Sequence, residues 1–257
     1  MEGQRAHATT SPFLRGNWAP VLTNLAPQPC RVTSGALPPS LRGSFLRIGP
    51  NPSRPEELQK NYHFFAGDGL IHGVELDGLT NTATYRRRFV DTPHYLTGED
   101  SVAGEEGEGG GERGGLANTA MVWHAGKLLA LEEGSKPYHI ALPSLATIGR
   151  YTFSGALRHN FTAHPKVCAT TGEMVFFGYG AHEVEGSDAF IHTSVVGREG
   201  DLLTTIPVPV RRPTMFHDCA ITRNYTLTLD FPLWDMGGPT RVEDRSRYKI
   251  DLQMNTG

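Results

Sequence analysis

Apolar and polar residues alternate along most of the chain in short runs, and turn-forming residues cut those runs into pieces. Ser44–Ile48 reads as a strand, with Gly49-Pro50-Asn51-Pro52 as its stop. Gly67-Asp68-Gly69 reads as a tight turn. Leu70–Leu76 alternates loosely, Asp77-Gly78 is a hairpin signal, and Thr82–Val90 is the return strand. Thr119–Trp123 and Leu128–Leu131 pair through His124-Ala125-Gly126-Lys127, which turns His124 toward solvent. Phe161–Val167 with Met174–Tyr179, Phe190–Val196 with Leu202–Val208, and Asp218–Thr222 with Tyr225–Asp230 continue the series. No long segment carries a helical period. Short strands separated by turns predict an all-β fold: a sandwich, a barrel or a propeller. Hairpins repeating over most of the chain favour the propeller.

Composition sharpens this picture. Thirty glycines and 18 prolines in 257 residues exceed ordinary usage and fit a turn-rich chain. Residues 1–12 read as a loose N-terminal tail. Residues 99–115, rich in Gly and Glu, read as a flexible surface loop. A net charge of −3 argues against a broad nucleic-acid footprint, so no nucleic-acid partner is expected. Cys30, Cys168 and Cys219 are odd in number and widely spaced, which points to a reducing compartment rather than a disulfide framework. No apolar run approaches the ~18 residues of a transmembrane helix. Residues 1–10 lack the apolar stretch of a secretory signal and are short for a transit peptide.

Eleven histidines give the first hint of metal chemistry. Two stand out by context, each at a strand entrance beside a proline-restricted segment: His164 in Phe161-Thr162-Ala163-His164-Pro165-Lys166, and His217 in Pro213-Thr214-Met215-Phe216-His217-Asp218. Neutral imidazole suits Fe, Zn or Cu. Fifty-three residues separate the pair, and no short ligand motif links them. His63 and His72 read as structural, and His94, His139, His159, His182 and His192 sit in no motif. Asp218 could orient a neighbour or cap a turn. Gly67-Asp68-Gly69 precedes no helix and is not a phosphate loop. Phe64, Phe65, Phe176, Phe177, Phe216 and Trp234 suit either a strand core or an apolar tunnel. No nucleophile elbow, zincin motif or cysteine pair is present.

Four collinear blocks resemble the carotenoid cleavage oxygenase family. They are residues 37–52, residues 62–72, Phe161 to Lys166, and Met215 to Thr222. The resemblance runs from Ser11 to Asp230. Gly16-Asn17-Trp18-Ala19-Pro20-Val21 and Arg211-Arg212-Pro213 look most like the plant and algal members. It implies an all-β, seven-bladed β-propeller with a non-haem Fe(II) on its axis, held by four histidines. It implies O₂-dependent cleavage of a conjugated double bond of a carotenoid or apocarotenoid, giving two carbonyl products. His164 matches the family's first iron ligand and His217 its second. Glu133 matches a glutamate that accepts the other ring N–H of a ligand and so fixes its orientation. Glu132 competes for that role by register.

Family members run to about twice this length, and the blocks with the third and fourth histidines are absent. The chain is therefore expected to be an incomplete propeller, roughly the first half, with residues 13–257 as its N-terminal part. The alternative is a truncated, catalytically inactive member that binds a ligand or partner without turnover. The resemblance also implies peripheral membrane contact through an apolar patch, and a chloroplast location, with the cytoplasm as the alternative. If the family reading holds, His164 and His217 should bring ring nitrogens within about 4 Å of each other. An unrelated propeller scaffold would scatter its histidines over the surface.

Overall fold

The computed structural model describes residues 11–55, 62–99, 114–179, 191–210, 215–229, 233–235 and 248–250. Most of the expected 99–115 loop and residues 1–10 of the expected tail lie outside them. Ser11, at the end of that tail, is docked: its hydroxyl donates to the Tyr62 carbonyl.

The regular structure of the described residues is almost entirely antiparallel β, built largely as successive hairpins. The first sheet holds β1 (Leu25–Cys30), β2 (Arg42–Asn51), β3 (Asp68–Asp77) and β4 (Thr82–Phe89), ordered β1-β4-β3-β2. The second is the meander β5 (Ala120–His124), β6 (Lys127–Leu131), β7 (Tyr138–Ile140) and β8 (Thr147–Arg150). The third holds β9 (Lys166–Val167), β10 (Met174–Tyr179), β11 (Ile191–Val196) and β12 (Leu202–Val208), again in meander order. Two hairpins follow: β13 (Cys219–Ile221) with β14 (Thr226–Thr228), and β15 (Leu233–Asp235) with β16 (Tyr248–Ile250). The described α-helix is the five-residue α1 (Pro93–Thr97), and no helix among the described residues is long and apolar enough to cross a membrane.

The sheets pack face to face, and the two-residue period of a strand explains how. On β6, Leu128 and Ala130 join Ile71, Tyr138 and Ile140 in a core between the first and second sheets. Leu129 and Leu131 point the other way, into a core with Phe161, Met174 and Phe176 between the second and third. Strand β10 repeats the device: Met174 and Phe176 face the second sheet, while Phe177 packs with Ile191, Phe216 and Cys219 on the far side. Both strands are therefore buried on both faces, which is why their sequences read as continuous apolar runs.

Several local expectations are corrected. Strand β2 runs through Pro50 to Asn51 instead of stopping at Gly49. It is an edge strand, where a missing N–H is tolerated. Asp68 and Gly69 open β3 rather than forming a turn. Gly69 lies against the Ala117 backbone, where a Cβ would sit 2.2 Å from its carbonyl oxygen. Phe161–Val167 is not one strand: only Lys166–Val167 pairs with β10, because Phe161, Thr162 and Ala163 are buried in the core before Pro165 breaks the run. His124 is buried, not solvent-facing, with Nε2 2.8 Å from the Gly172 carbonyl. Strands β1, β7 and β8 were not foreseen: β1 carries Pro27 and Pro29, and the other two are very short.

His159 and His192 are buried and stack at 5.3 Å. His159 Nδ1 donates to the Asn160 carbonyl (2.7 Å), and Nε2 accepts from the Ser194 hydroxyl (2.9 Å), which also meets Thr205 (2.8 Å). Burial pushes the His159 imidazole down to about 4, against the pull of the Asn160 carbonyl and with the push of His192 and Lys136. The unfolded chain then binds the proton first. Stability is complete above pH 6.5 and is lost as pH falls toward 4, by on the order of 3 kcal/mol. Urea unfolding near neutrality and near pH 4.5 should show a smaller acid loss for His159→Asn than for wild type; equal losses would contradict this. Gly178 gives a second test. A Cβ there would lie 2.1 Å from the Asn160 carbonyl oxygen, so Gly178→Ala should destabilise by about 1–3 kcal/mol. A change within about 0.5 kcal/mol would show the chain at Asn160 to be loosely held against β10.

Candidate metal centre

Three segments converge at one end of the second and third sheets. The first follows β6, whose alternation continues past Leu131. Glu132 lies on the side of Leu128 and Ala130, and its Oε2 accepts from Leu116 N–H at 2.9 Å. Glu133 lies on the side of Leu129 and Leu131, turned toward the third sheet, where Tyr179 donates to its Oε2 at 2.9 Å. Register separates the two glutamates: only Glu133 reaches the histidines.

The second segment crosses β10. Gly178 has no side chain, so the Asn160 backbone passes directly over it. Phe161 then stacks on Phe176 at 3.9 Å between ring centres and anchors the crossing. Thr162 and Ala163 are buried, and the Thr162 hydroxyl accepts from the His164 N–H. His164 emerges at the end of this rigid stretch, half-buried.

The third segment is pinned by Phe216, fully buried against Phe177 and Ile191. The next residue, His217, is exposed. Asp218 Oδ1 accepts from Cys219 N–H at 2.7 Å and pairs with Lys166 Nζ at 2.6 Å. The ion pair ties the residue after His217 to the residue two past His164.

The outcome is a compact cluster. His164 Nε2 and His217 Nε2 lie 3.2 Å apart, and the Glu133 carboxylate contacts His217 Nδ1 through Oε1. One donor atom from each residue falls within 4.8 Å of the others. Burial raises the Glu133 carboxyl above its ordinary value, opposed by His217 and by the Tyr179 hydrogen bond. Burial lowers the His164 imidazole, helped by His217 and Lys166 and opposed by Asp218. The shift favours the neutral imidazole, the form that binds metals.

The donor set fits a metal ion. A carboxylate on His217 Nδ1 keeps the proton there and leaves the Nε2 lone pair directed at His164. Two imidazole nitrogens, each about 2.1 Å from one ion and at right angles, would be about 3.0 Å apart. The observed separation is close to this.

Several of the other described histidines serve the scaffold. His63 Nδ1 accepts from Phe65 N–H, His72 Nδ1 meets the Tyr85 hydroxyl at 2.7 Å, and His94 pairs with buried Asp68 at 2.6 Å. His182 lies outside the described residues. Phe176, Phe177 and Phe216 are core, and Phe65 is exposed; nothing is described of the Phe64 and Trp234 side chains. Tyr179 was not foreseen. Its signal was there: it shares the alternation of β10 that turns Phe177 toward Phe216.

The sequence matches the family described as RPE65, retinal pigment epithelial membrane protein, over residues 18–255. The chain belongs to the RPE65/carotenoid cleavage oxygenase family. It is 37% identical over 251 residues to carotenoid 9,10(9',10')-cleavage dioxygenase 1 of Pisum sativum, covering 86% of this chain and 44% of that one. It is 36% identical to a carotenoid cleavage oxygenase of Mycobacterium tuberculosis, covering 91% and 45%. The chain thus spans about half the length of the relatives it matches. The crystal structure of Pseudomonas brassicacearum lignostilbene dioxygenase superposes with a TM-score of 0.70 at 28% identity, covering 87% of this chain and 48% of that one.

The Lys166–Asp218 pair offers a direct check on how the two histidine segments are held. Lys166→Met, Asp218→Asn and the double variant should give a coupling of about 0.5–1 kcal/mol in unfolding free energy. It should shrink in molar salt. Additive effects would show that the segments are fixed without the pair.

Proposed function

We propose that this chain carries two histidine ligands, His164 and His217, and the orienting glutamate Glu133 of a non-haem Fe(II) centre. In the whole protein that centre cleaves a conjugated double bond of a carotenoid or apocarotenoid with O₂, giving two carbonyl products. The observation that carries the reading is the pair of Nε2 atoms 3.2 Å apart with a carboxylate on the far nitrogen of one ring. Family membership and the cleavage activity named for the relatives support it. The successive four-stranded sheets fit the first blades of a seven-bladed propeller.

The bound iron would supply a redox-active centre with open positions for O₂. The protein's residues set its surroundings. Glu133 holds the His217 proton on Nδ1 and lends electron density through the ring. Neutral imidazoles leave the ion's charge uncompensated. The Phe161–Phe176 stack and the Phe216 anchor keep both ligands from drifting, and such fixed placement is what a positioned polyene needs. The polyene itself has no charge to clamp, so an apolar channel whose shape selects the bond is the expected substrate site.

The test uses protein made from the full reading frame, titrated anaerobically with Fe(II) and then supplied with O₂ and an apocarotenal. His164→Ala and His217→Ala should abolish both iron retention and aldehyde products. Glu133→Gln should lower iron affinity by about 10- to 100-fold. Cleavage that survives loss of either histidine would overturn the assignment. Iron retention without any cleavage would point to a member that binds without turnover.

A further inference from the structure

Tyr179 ends β10, directly across from Ile191 on β11. Its ring lies among apolar neighbours: Phe177 and Phe216 each sit 6.3 Å away between ring centres. Its hydroxyl leaves that cluster and donates to Glu133 Oε2 at 2.9 Å. Glu133 belongs to the second sheet and Tyr179 to the third, so this hydrogen bond crosses the interface between sheets.

The bond matters for what the carboxylate does next. A glutamate just past the end of a strand has three side-chain torsions, and its two oxygens are chemically alike. With Oε2 held by the Tyr179 hydroxyl, Oε1 is the oxygen that faces His217 Nδ1. A carboxylate accepting at Nδ1 selects the ring tautomer with the proton there. That tautomer presents an unprotonated Nε2, the atom 3.2 Å from His164 Nε2. The four side chains form one line of contacts, Tyr179 to Glu133 to His217 to His164, and Tyr179 stands at its rigid end.

We propose that Tyr179 is a positioning residue for the metal centre: by holding Glu133 Oε2 it aims Oε1 at His217 Nδ1 and so fixes the tautomer that frees His217 Nε2 for a metal. The proposal rests on the reading of His164 and His217 as ligands. It adds a group outside the aligned motifs, contributed by a neighbouring strand. Its hydroxyl acts on the centre through Glu133. Its ring also fills the core, so the informative change removes the hydroxyl and keeps the ring.

The experiment compares wild type with Tyr179→Phe in two measurements. In metal-free protein labelled with ¹⁵N at histidine, wild-type His217 should show one tautomer, protonated at Nδ1, and Tyr179→Phe should show a mixture. In a titration with cobalt(II) alone, Tyr179→Phe should bind about tenfold more weakly, and the metal-free protein should lose only the modest stability of one buried hydrogen bond. In a Glu133→Ala background, Tyr179→Phe should cost no further cobalt affinity, because the oxygen it positions is gone. A single unchanged His217 tautomer in Tyr179→Phe would overturn the proposal. So would a tenfold loss that persists in the Glu133→Ala background, since the hydroxyl would then act by some other route. Failure of wild type to bind cobalt would refute the ligand reading, and the tautomer comparison would still decide the role of Tyr179.

Discussion

Strand β6 is buried between two neighbouring sheets, with Leu128 and Ala130 against one and Leu129 and Leu131 against the other. This double burial is the constraint on which the site depends. It fixes the register of β6, because a slip of one residue would exchange the two apolar faces. The same register continues into the pair of acids that follows. It sends Glu132 to the Leu116 N–H, in the segment that leads into β5, and Glu133 toward the third sheet. The carboxylate is aimed by the packing of a strand whose own side chains take no part in the chemistry.

Strand β10 plays the matching role. Its faces separate Phe176, which receives the Phe161 ring, from Phe177, which helps seat Phe216. Those two rings anchor the segments that deliver His164 and His217. His164 and His217 stand where these well-packed stretches reach the surface. A site of this kind inherits its precision from the core beneath it. The cluster is more exposed at His217 than at Glu133, so the orienting carboxylate sits on the drier side of the ring it contacts. In that setting its hydrogen bonds are stronger than in water.

Much of this was legible in the sequence, for a physical reason. Alternation and turn residues marked β3, β4, β5, β6, β10, β11 and β12 because those strands have apolar faces to bury. The misses came from cases where tertiary context overrode local chemistry. Pro50 sits inside an edge strand, β1 contains two prolines, and Gly69 serves a close backbone approach rather than a turn. His164, His217 and Glu133 were named from family motifs, and no spacing rule could have joined residues so far apart in the chain. Choosing Glu133 over Glu132 by chemistry needed the register of β6. Tyr179 and the Lys166–Asp218 pair escaped notice because each acts across an interface between segments that the sequence does not show to be neighbours.

The proposed centre has His164 and His217 sharing one metal ion, with Glu133 behind His217. Anomalous diffraction from crystals of the iron-loaded protein, collected on both sides of the iron absorption edge, tests it most directly. One strong anomalous peak is expected in contact with both Nε2 atoms, with the Glu133 carboxylate still on His217 Nδ1. A peak elsewhere, or iron held by Glu133 with either imidazole turned away, would contradict it.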